Sequence, residues 1–134
     1  MTLRVGIVSA ERKVFEEEAE MVVARTTEGE MGVLQGHEPV LGQLAEGGVV
    51  RVHLADGGVR PFAVHGGFLS VSADGVSILA RTAEPGDEID VSRAKKALER
   101  AEQAGDDDED AFGARRRAQA RLRAAGEGEG GALP

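Results

Sequence analysis

Between Leu3 and about Ala83, short apolar runs are cut at close intervals by glycine turns, and this spacing constrains the fold more than any other feature. The turns are Glu28-Gly29, Gly47-Gly48, Asp56-Gly57-Gly58 and Asp74-Gly75. Leu3, Val5 and Ile7 alternate with Arg4 and Gly6, and further runs follow at Met21 to Ala24, Met31 to Leu34, Val49 to Val52, Val59 to Val64, Gly67 to Val71 and Val76 to Ala80. β-Branched residues dominate them, as half-buried strands prefer. No segment between these runs has room for a helical crossover, so a doubly wound fold is excluded and a sandwich or barrel is expected. Asp56-Gly57-Gly58 and Asp74-Gly75 read as hairpin turns, with glycine supplying positive φ.

The texture changes at Glu84-Pro85-Gly86-Asp87, where proline and glycine end the β region. Asp90 is placed to cap a helix running to about Ala104, with Val91, Ala94, Leu98 and Ala101 along one stripe. Gly105 stops it. The acidic run Asp106 to Asp110 suits a loop and a helix start, and mutual repulsion there favours a hinge. A second helix is expected over Ala111 to Ala125, its narrow face formed by Ala111, Ala114, Ala118, Leu122 and Ala125. The domains are therefore 1–86, a β domain; 87–125, two helices; and 126–134, a glycine-rich flexible tail. Alanine faces make weak contacts, so the helix pair needs the β domain or a partner to hold it.

The formal net charge of −8 argues against a nucleic-acid partner, which needs a basic surface. The chain has no cysteine, so disulfide and thiolate chemistry are excluded, and its three histidines make no strong zinc constellation. The first residues lack a signal-peptide apolar run, and no stretch approaches the length of a membrane span. The chain is expected in the cytoplasm, reaching a membrane only through a partner.

Little in the sequence points to catalysis. No serine or cysteine nucleophile has a matching base, and the P-loop and Rossmann glycine patterns are missing. His37, in Gly36-His37-Glu38-Pro39, is expected to pin its own turn; a base role with Glu38, as in a small hydrolase, is the competing reading. His53 and His65 are expected to be half-buried or on the surface. Gly66-Gly67 reads as a bulge or a close strand approach. Glu16, Glu17, Glu18 and Glu20 read as a solvated face. A free-standing adaptor or ligand-binding β module would satisfy these features alone.

Three stretches narrow the choice. Gly29-Glu30-Met31-Gly32-Val33-Leu34-Gln35-Gly36-His37-Glu38-Pro39-Val40 is similar to a Gly-Glu-hydrophobic-Gly strand followed by a Pro-Gly-His-x-Pro loop, with Gln35 in place of the proline. Val64-His65-Gly66-Gly67-Phe68-Leu69-Ser70-Val71 and the pair Ala80-Arg81-Thr82-Ala83-Glu84 and Ile89-Asp90-Val91-Ser92-Arg93-Ala94 follow in the matching order. The chain resembles the epsilon subunit of bacterial F-type ATP synthase from Leu3 to about Leu122. The resemblance implies a ten-stranded β-sandwich with a C-terminal antiparallel two-helix hairpin. It implies a non-catalytic place in the central stalk, with the gamma subunit, the c-ring and the alpha and beta subunits as partners, on the cytoplasmic face of the cell membrane. It also implies coupling of rotation in a proton-translocating complex and a restraint on ATP hydrolysis, here reduced by the short interhelical loop and glycine-rich end.

No cofactor is required. ATP is implied as a weak regulatory ligand, held by Glu84, Ile89, Asp90, Arg93, Ala94, Arg100, Arg117 and Arg121. The structural motif comprises Gly29, Gly32, Gly36, His37, Pro39, Gly66 and Gly67. In it, a side chain at Gly32 is expected to clash with a neighbouring layer and Gly36 to adopt a turn conformation.

Overall fold

The computed structural model describes residues 2–105 and 108–128. Eight strands come first: β1 (Leu3–Ser9), β2 (Lys13–Ala19), β3 (Met21–Thr26), β4 (Gly29–Leu34), β5 (Val40–Gln43), β6 (Gly48–His53), β7 (Val59–Ser72) and β8 (Gly75–Pro85). A 3-10 turn at Gly86–Glu88 leads into α1 (Val91–Gln103) and α2 (Glu109–Gly128). The strands form one mixed sheet in the order β2-β1-β8-β7-β6-β3-β4, with β5 also pairing β7. All pairings are antiparallel except β1 with β8.

The expectation of ten strands is corrected to eight among the described residues. The runs Val59 to Val64 and Gly67 to Val71, read as two strands, are a single 14-residue strand. Its first half pairs with β6 and its second with β5, while β8 follows it along most of its length. Two strands escaped the sequence reading. In β2 only Phe15 and Ala19 are buried, because it pairs on one side only, with β1, and its glutamates face solvent. β5 is four residues long and buries none of them fully.

The sheet folds over its own core. Phe15 on β2 meets Phe62 on β7 edge to face, with ring centroids 5.2 Å apart. These strands stand three places apart in the order, about 14 Å in a flat sheet. The interior between them is filled by Val5, Ile7, Val22, Val33, Val52, Leu69 and Ile78, all without solvent exposure.

The helix boundaries follow local chemistry. Asp90 caps α1, its carboxylate accepting from the Arg93 amide at 3.0 Å. Ala94 and Ala101 of the expected stripe are buried, with Val91 and Leu98 half-buried beside them. Gly105, at φ +88°, ends the segment. Asp108 caps α2 by accepting from the Asp110 and Ala111 amides at 3.0 and 3.2 Å. Glu109 and Asp110 then occupy its first turn, where the positive helix end favours them. α2 therefore starts before Ala111 and continues beyond Ala125, taking in part of the expected tail. Of the expected hinge and tail, Asp106, Asp107 and residues 129–134 lie outside the described residues. α1 rests mainly on α2, and α2 lies on β6, β7 and the 3-10 turn.

Candidate functional site at the seam of sheet and helix

The seam begins with small residues. Val49 of β6 and Ala63 of β7 are register partners, and they pack against Ala120 and Ala124 of α2 with Ile89 alongside. Ala120 and Ala124 lie off the stripe expected for α2. The helix buries a wider arc because it meets two partners, α1 and the sheet. Two glycines allow the close approach. A Cβ on Gly47 would stand 2.5 Å from the Arg116 backbone, and one on Gly86 would stand 2.4 Å from the Ala124 carbonyl oxygen.

Alanine burial gives this seam little energy, roughly 0.8 kcal/mol per buried methylene-sized group. Its register is fixed instead by two carboxylates on the sheet side. Glu46, in the turn before β6, accepts from Arg117 at 2.8 Å and pairs with Arg81 of β8. Its backbone oxygen accepts from Arg116 Nε at 3.0 Å. Burial pushes the Glu46 carboxyl up, but the Arg117 hydrogen bond and the charges of Arg81 and Arg117 outweigh it and hold it below the ordinary value. Glu84, near the end of β8, accepts from Arg121 Nε at 2.6 Å. The His65 imidazole, 3.5 Å from the same oxygen, is the first pull on this carboxyl. Burial opposes it, and the Arg121 hydrogen bond and charge add to it, leaving Glu84 at about 2.

His65 is 1% exposed, which corrects the expectation of a half-buried or surface residue. It lies two residues beyond Ala63 and so on the same side of β7, the side that α2 covers. Arg117 and Arg121 share a helix face as expected, yet each reaches a different carboxylate.

Beside this seam is a cleft of about 460 Å³ lined by Glu84, Glu88, Ile89, Asp90, Arg93, Ala94 and Arg121. Six of the eight residues singled out as ATP candidates therefore converge on one place. Arg117 is instead engaged by Glu46, and Arg100 lies exposed in the last turn of α1. Sequence reasoning missed Glu46, Arg81, Arg116 and His65 as seam residues. Only the glycine turn next to Glu46 marked that position.

The Gly29 to Pro39 stretch forms β4 and the loop after it. Gly36 takes the left-handed turn conformation, at φ +87°. His37 does pin its own turn: its amide donates to the Leu34 oxygen at 3.1 Å, and its Nδ1 lies 2.7 Å from the Glu38 oxygen. Gly29 has φ +127° where it opens β4, and Pro39 is exposed just before β5. The expected clash at Gly32 is corrected. It is exposed, and a Cβ there would meet nothing within 4 Å, because β4 is an edge strand with no layer over this residue. Gly66 and Gly67 are where strands come close, as expected. A Cβ on Gly67 would stand 2.0 Å from the Leu79 oxygen, and one on Gly66 would enter the Arg81 guanidinium.

The fold is a β-rich domain with a pair of helices clasped to its sheet through Glu46 and Glu84. Residues 2–86 match the family model described as ATP synthase, Delta/Epsilon chain, beta-sandwich domain. The chain is 50% identical over 123 residues to the ATP synthase epsilon chain of Streptomyces coelicolor, covering 92% of this chain and 94% of that one. It is 52% identical over 105 residues to the epsilon chain of Rhodococcus opacus, covering 78% and 84%. Among solved structures, a chain of the Euglena gracilis mitochondrial ATP synthase in its OSCP/F1/c-ring assembly matches with a TM-score of 0.71 and 31% identity, over 90% of this chain and 75% of that one. A chain of the Tetrahymena thermophila central stalk and c-ring, 14% identical with a TM-score of 0.54 over 78% and 91% of the two chains, shares the fold. The chain belongs to the ATP synthase epsilon chain family. It is a non-catalytic subunit of the central stalk, and the resemblance drawn from the three motif stretches is borne out.

Proposed function

We propose that the β domain, residues 1–86, is a two-layered sandwich that holds the assembly contacts. The gamma subunit covers its outer face, and the c-ring meets the subunit at the foot of the stalk. The two helices after residue 87 form a regulatory antiparallel hairpin that restrains ATP hydrolysis by the alpha and beta subunits when it leaves the sheet. The subunit sits on the cytoplasmic face of the membrane as a peripheral part of a proton-translocating complex. Among the described residues no helix is long and apolar enough to cross a membrane.

The observation that carries the gamma interface is an exposed apolar row. Val8, Leu79 and Phe68 are neighbours in register across β1, β8 and β7, and Leu41 of β5 continues the patch. They are 36, 57, 52 and 72% exposed. Large side chains grouped this way on the face opposite the core mark a protein interface. Phe68→Asp and Leu79→Asp in the full chain should leave the thermal midpoint within about 2 °C of wild type, since exposed positions change stability little. Each should weaken binding to purified gamma at least about tenfold, the effect of about 1.4 kcal/mol. Undiminished gamma binding by both variants would remove this interface.

A second reading concerns ATP in the cleft beside Glu84. It is supported by the convergence there of Glu84, Ile89, Asp90, Arg93, Ala94 and Arg121. Arg93 and Arg121 would fork onto phosphate oxygens, and Glu84 or Asp90 would accept from the adenine amino group. Arg121 must leave Glu84 to do so, which keeps the affinity modest. A bound nucleotide favours the docked hairpin by differential affinity. Calorimetry of the full chain at millimolar ATP should give a saturable heat that Arg93→Ala abolishes, and equal heats for the two proteins would refute the site.

A further inference from the structure

On the other side of α2 from that cleft, the helix and β3 enclose a smaller one of about 220 Å³, lined by Arg25, Gly47, Arg116, Gln119, Ala120 and Arg123. Its charged groups are three guanidiniums, and no carboxylate lines it. This is unusual for a chain with 24 acidic and 16 basic residues. Elsewhere on α2 the arginines that face the sheet are neutralised, Arg117 by Glu46 and Arg121 by Glu84. Neither Arg25 nor Arg123 has an ion-pair partner among the described residues. Glu30, the register partner of Arg25 on β4, pairs instead with Arg51 at 3.9 Å.

Two of the three arginine stems are held in place by one glycine pair. A Cβ on Gly47 would overlap the Arg116 backbone, and one on Gly48 would come 3.0 Å from the Arg25 Cβ. Gly47-Gly48 is thus the floor on which both arginines stand. Arg116 is fixed further by its Nε donating to the Glu46 oxygen at 3.0 Å and by stacking 5.9 Å from the Phe112 ring centre. That engagement leaves its two terminal nitrogens for a ligand. The third arginine, Arg123, is two turns along α2 from Arg116 and on the same face, with the Gln119 amide between them.

We propose that this cleft is a phosphate-binding site, distinct from the cleft beside Glu84. Its ligand is a phosphate group, free or at the end of a nucleotide. Planar guanidiniums present paired donors that match phosphate oxygens. Like charges gathered in a concave site repel one another and focus a positive potential on an incoming anion. The volume lies below the roughly 300–1,000 Å³ of sites that enclose a whole drug-sized ligand, so one or two phosphoryl groups fill it. The site exists only while α2 is docked, because Arg25 belongs to the sheet and Arg116 and Arg123 to the helix. Phosphate therefore stabilises the docked helix by differential binding.

The test titrates the full chain with inorganic phosphate at constant ionic strength, read by phosphorus-31 NMR and by chemical shifts of the Gly47 and Gln119 amides. Saturable binding at millimolar phosphate is expected, weakened at least about fivefold by Arg123→Gln and by Arg25→Gln. Both substitutions are at exposed positions and should leave the fold intact. Arg93→Gln, in the other cleft, should bind phosphate as wild type does. A second titration with ADP, followed by phosphate competition, separates the sources: tighter, competitive ADP binding assigns a nucleotide-borne phosphate, and no competition assigns the free anion. Absence of saturation with either probe, or wild-type binding by both Arg25→Gln and Arg123→Gln, overturns the proposal. Loss on Arg93→Gln alone also overturns it, by moving the anion to the Glu84 cleft.

Discussion

Replacing Gly67 with alanine should be among the most damaging single-methyl changes in the β domain. The residue has φ +110°, and the added carbon would lie 2.0 Å from the Leu79 oxygen and 2.7 Å from the Ala80 Cα. Both contacts are to backbone of β8, the register partner of β7 at this position, so no side chain can swing aside. The positive φ costs about 1–2 kcal/mol for an L residue, and forcing atoms into a packed region costs about 1–3 kcal/mol more. The lower entropy of the unfolded alanine chain returns about 0.4–1 kcal/mol. The net loss is then about 1–5 kcal/mol, and each kcal/mol lowers Tm by about 4–8 °C for a domain of this size. Gly32→Ala is the matched control. It sits in a strand of the same domain with nothing within 4 Å of the new carbon and no positive φ, and it should stay within about 0.5 kcal/mol of wild type. The chain lacks tryptophan and tyrosine, so calorimetry or far-UV circular dichroism is the suitable assay. A Gly67→Ala protein within 1 kcal/mol of wild type, or a Gly32→Ala protein that loses as much as Gly67→Ala, would refute the reasoning.

Three further outcomes follow from the seam. Glu84 is depressed to about 2 in the folded chain. Its contribution to holding α2 is therefore complete above the ordinary glutamate range, near pH 4.3, and is lost as pH falls through about 2. Methyl NMR of Val49 and Ala120 against pH should show that loss, and Glu84→Gln should abolish this acid-dependent part of it. Glu46→Gln removes the charge that Arg81 and Arg117 share and should raise the amide exchange of α2 several-fold while leaving β-strand exchange unchanged; equal protection in both proteins would contradict the clasp. Asp90→Ala should cost about 1 kcal/mol of helix stability by removing the cap on the Arg93 amide, seen as a lower helical signal at moderate denaturant, and an unchanged melt would remove the cap from the account.

The sequence alone determined the order of a β domain and two helices, because turn glycines, Pro85-Gly86 and the Asp90 cap act within a few residues of themselves. It also determined the family, and it brought most of one cleft together, since Glu84, Ile89, Asp90, Arg93 and Ala94 lie within a single short stretch. The tertiary structure decided what depends on neighbours distant in the chain. Val59 to Ser72 is one strand because β5 and β6 pair with its two halves. Gly32 is open because β4 lies at a sheet edge. His65 is buried because α2 covers its side of β7, and Arg117 and Arg121 part company because Glu46 comes from the turn before β6 and Glu84 from the end of β8. Local pattern fixes which backbone each segment adopts. Register and helix docking fix which side chains meet, and neither is written in the spacing of any one segment.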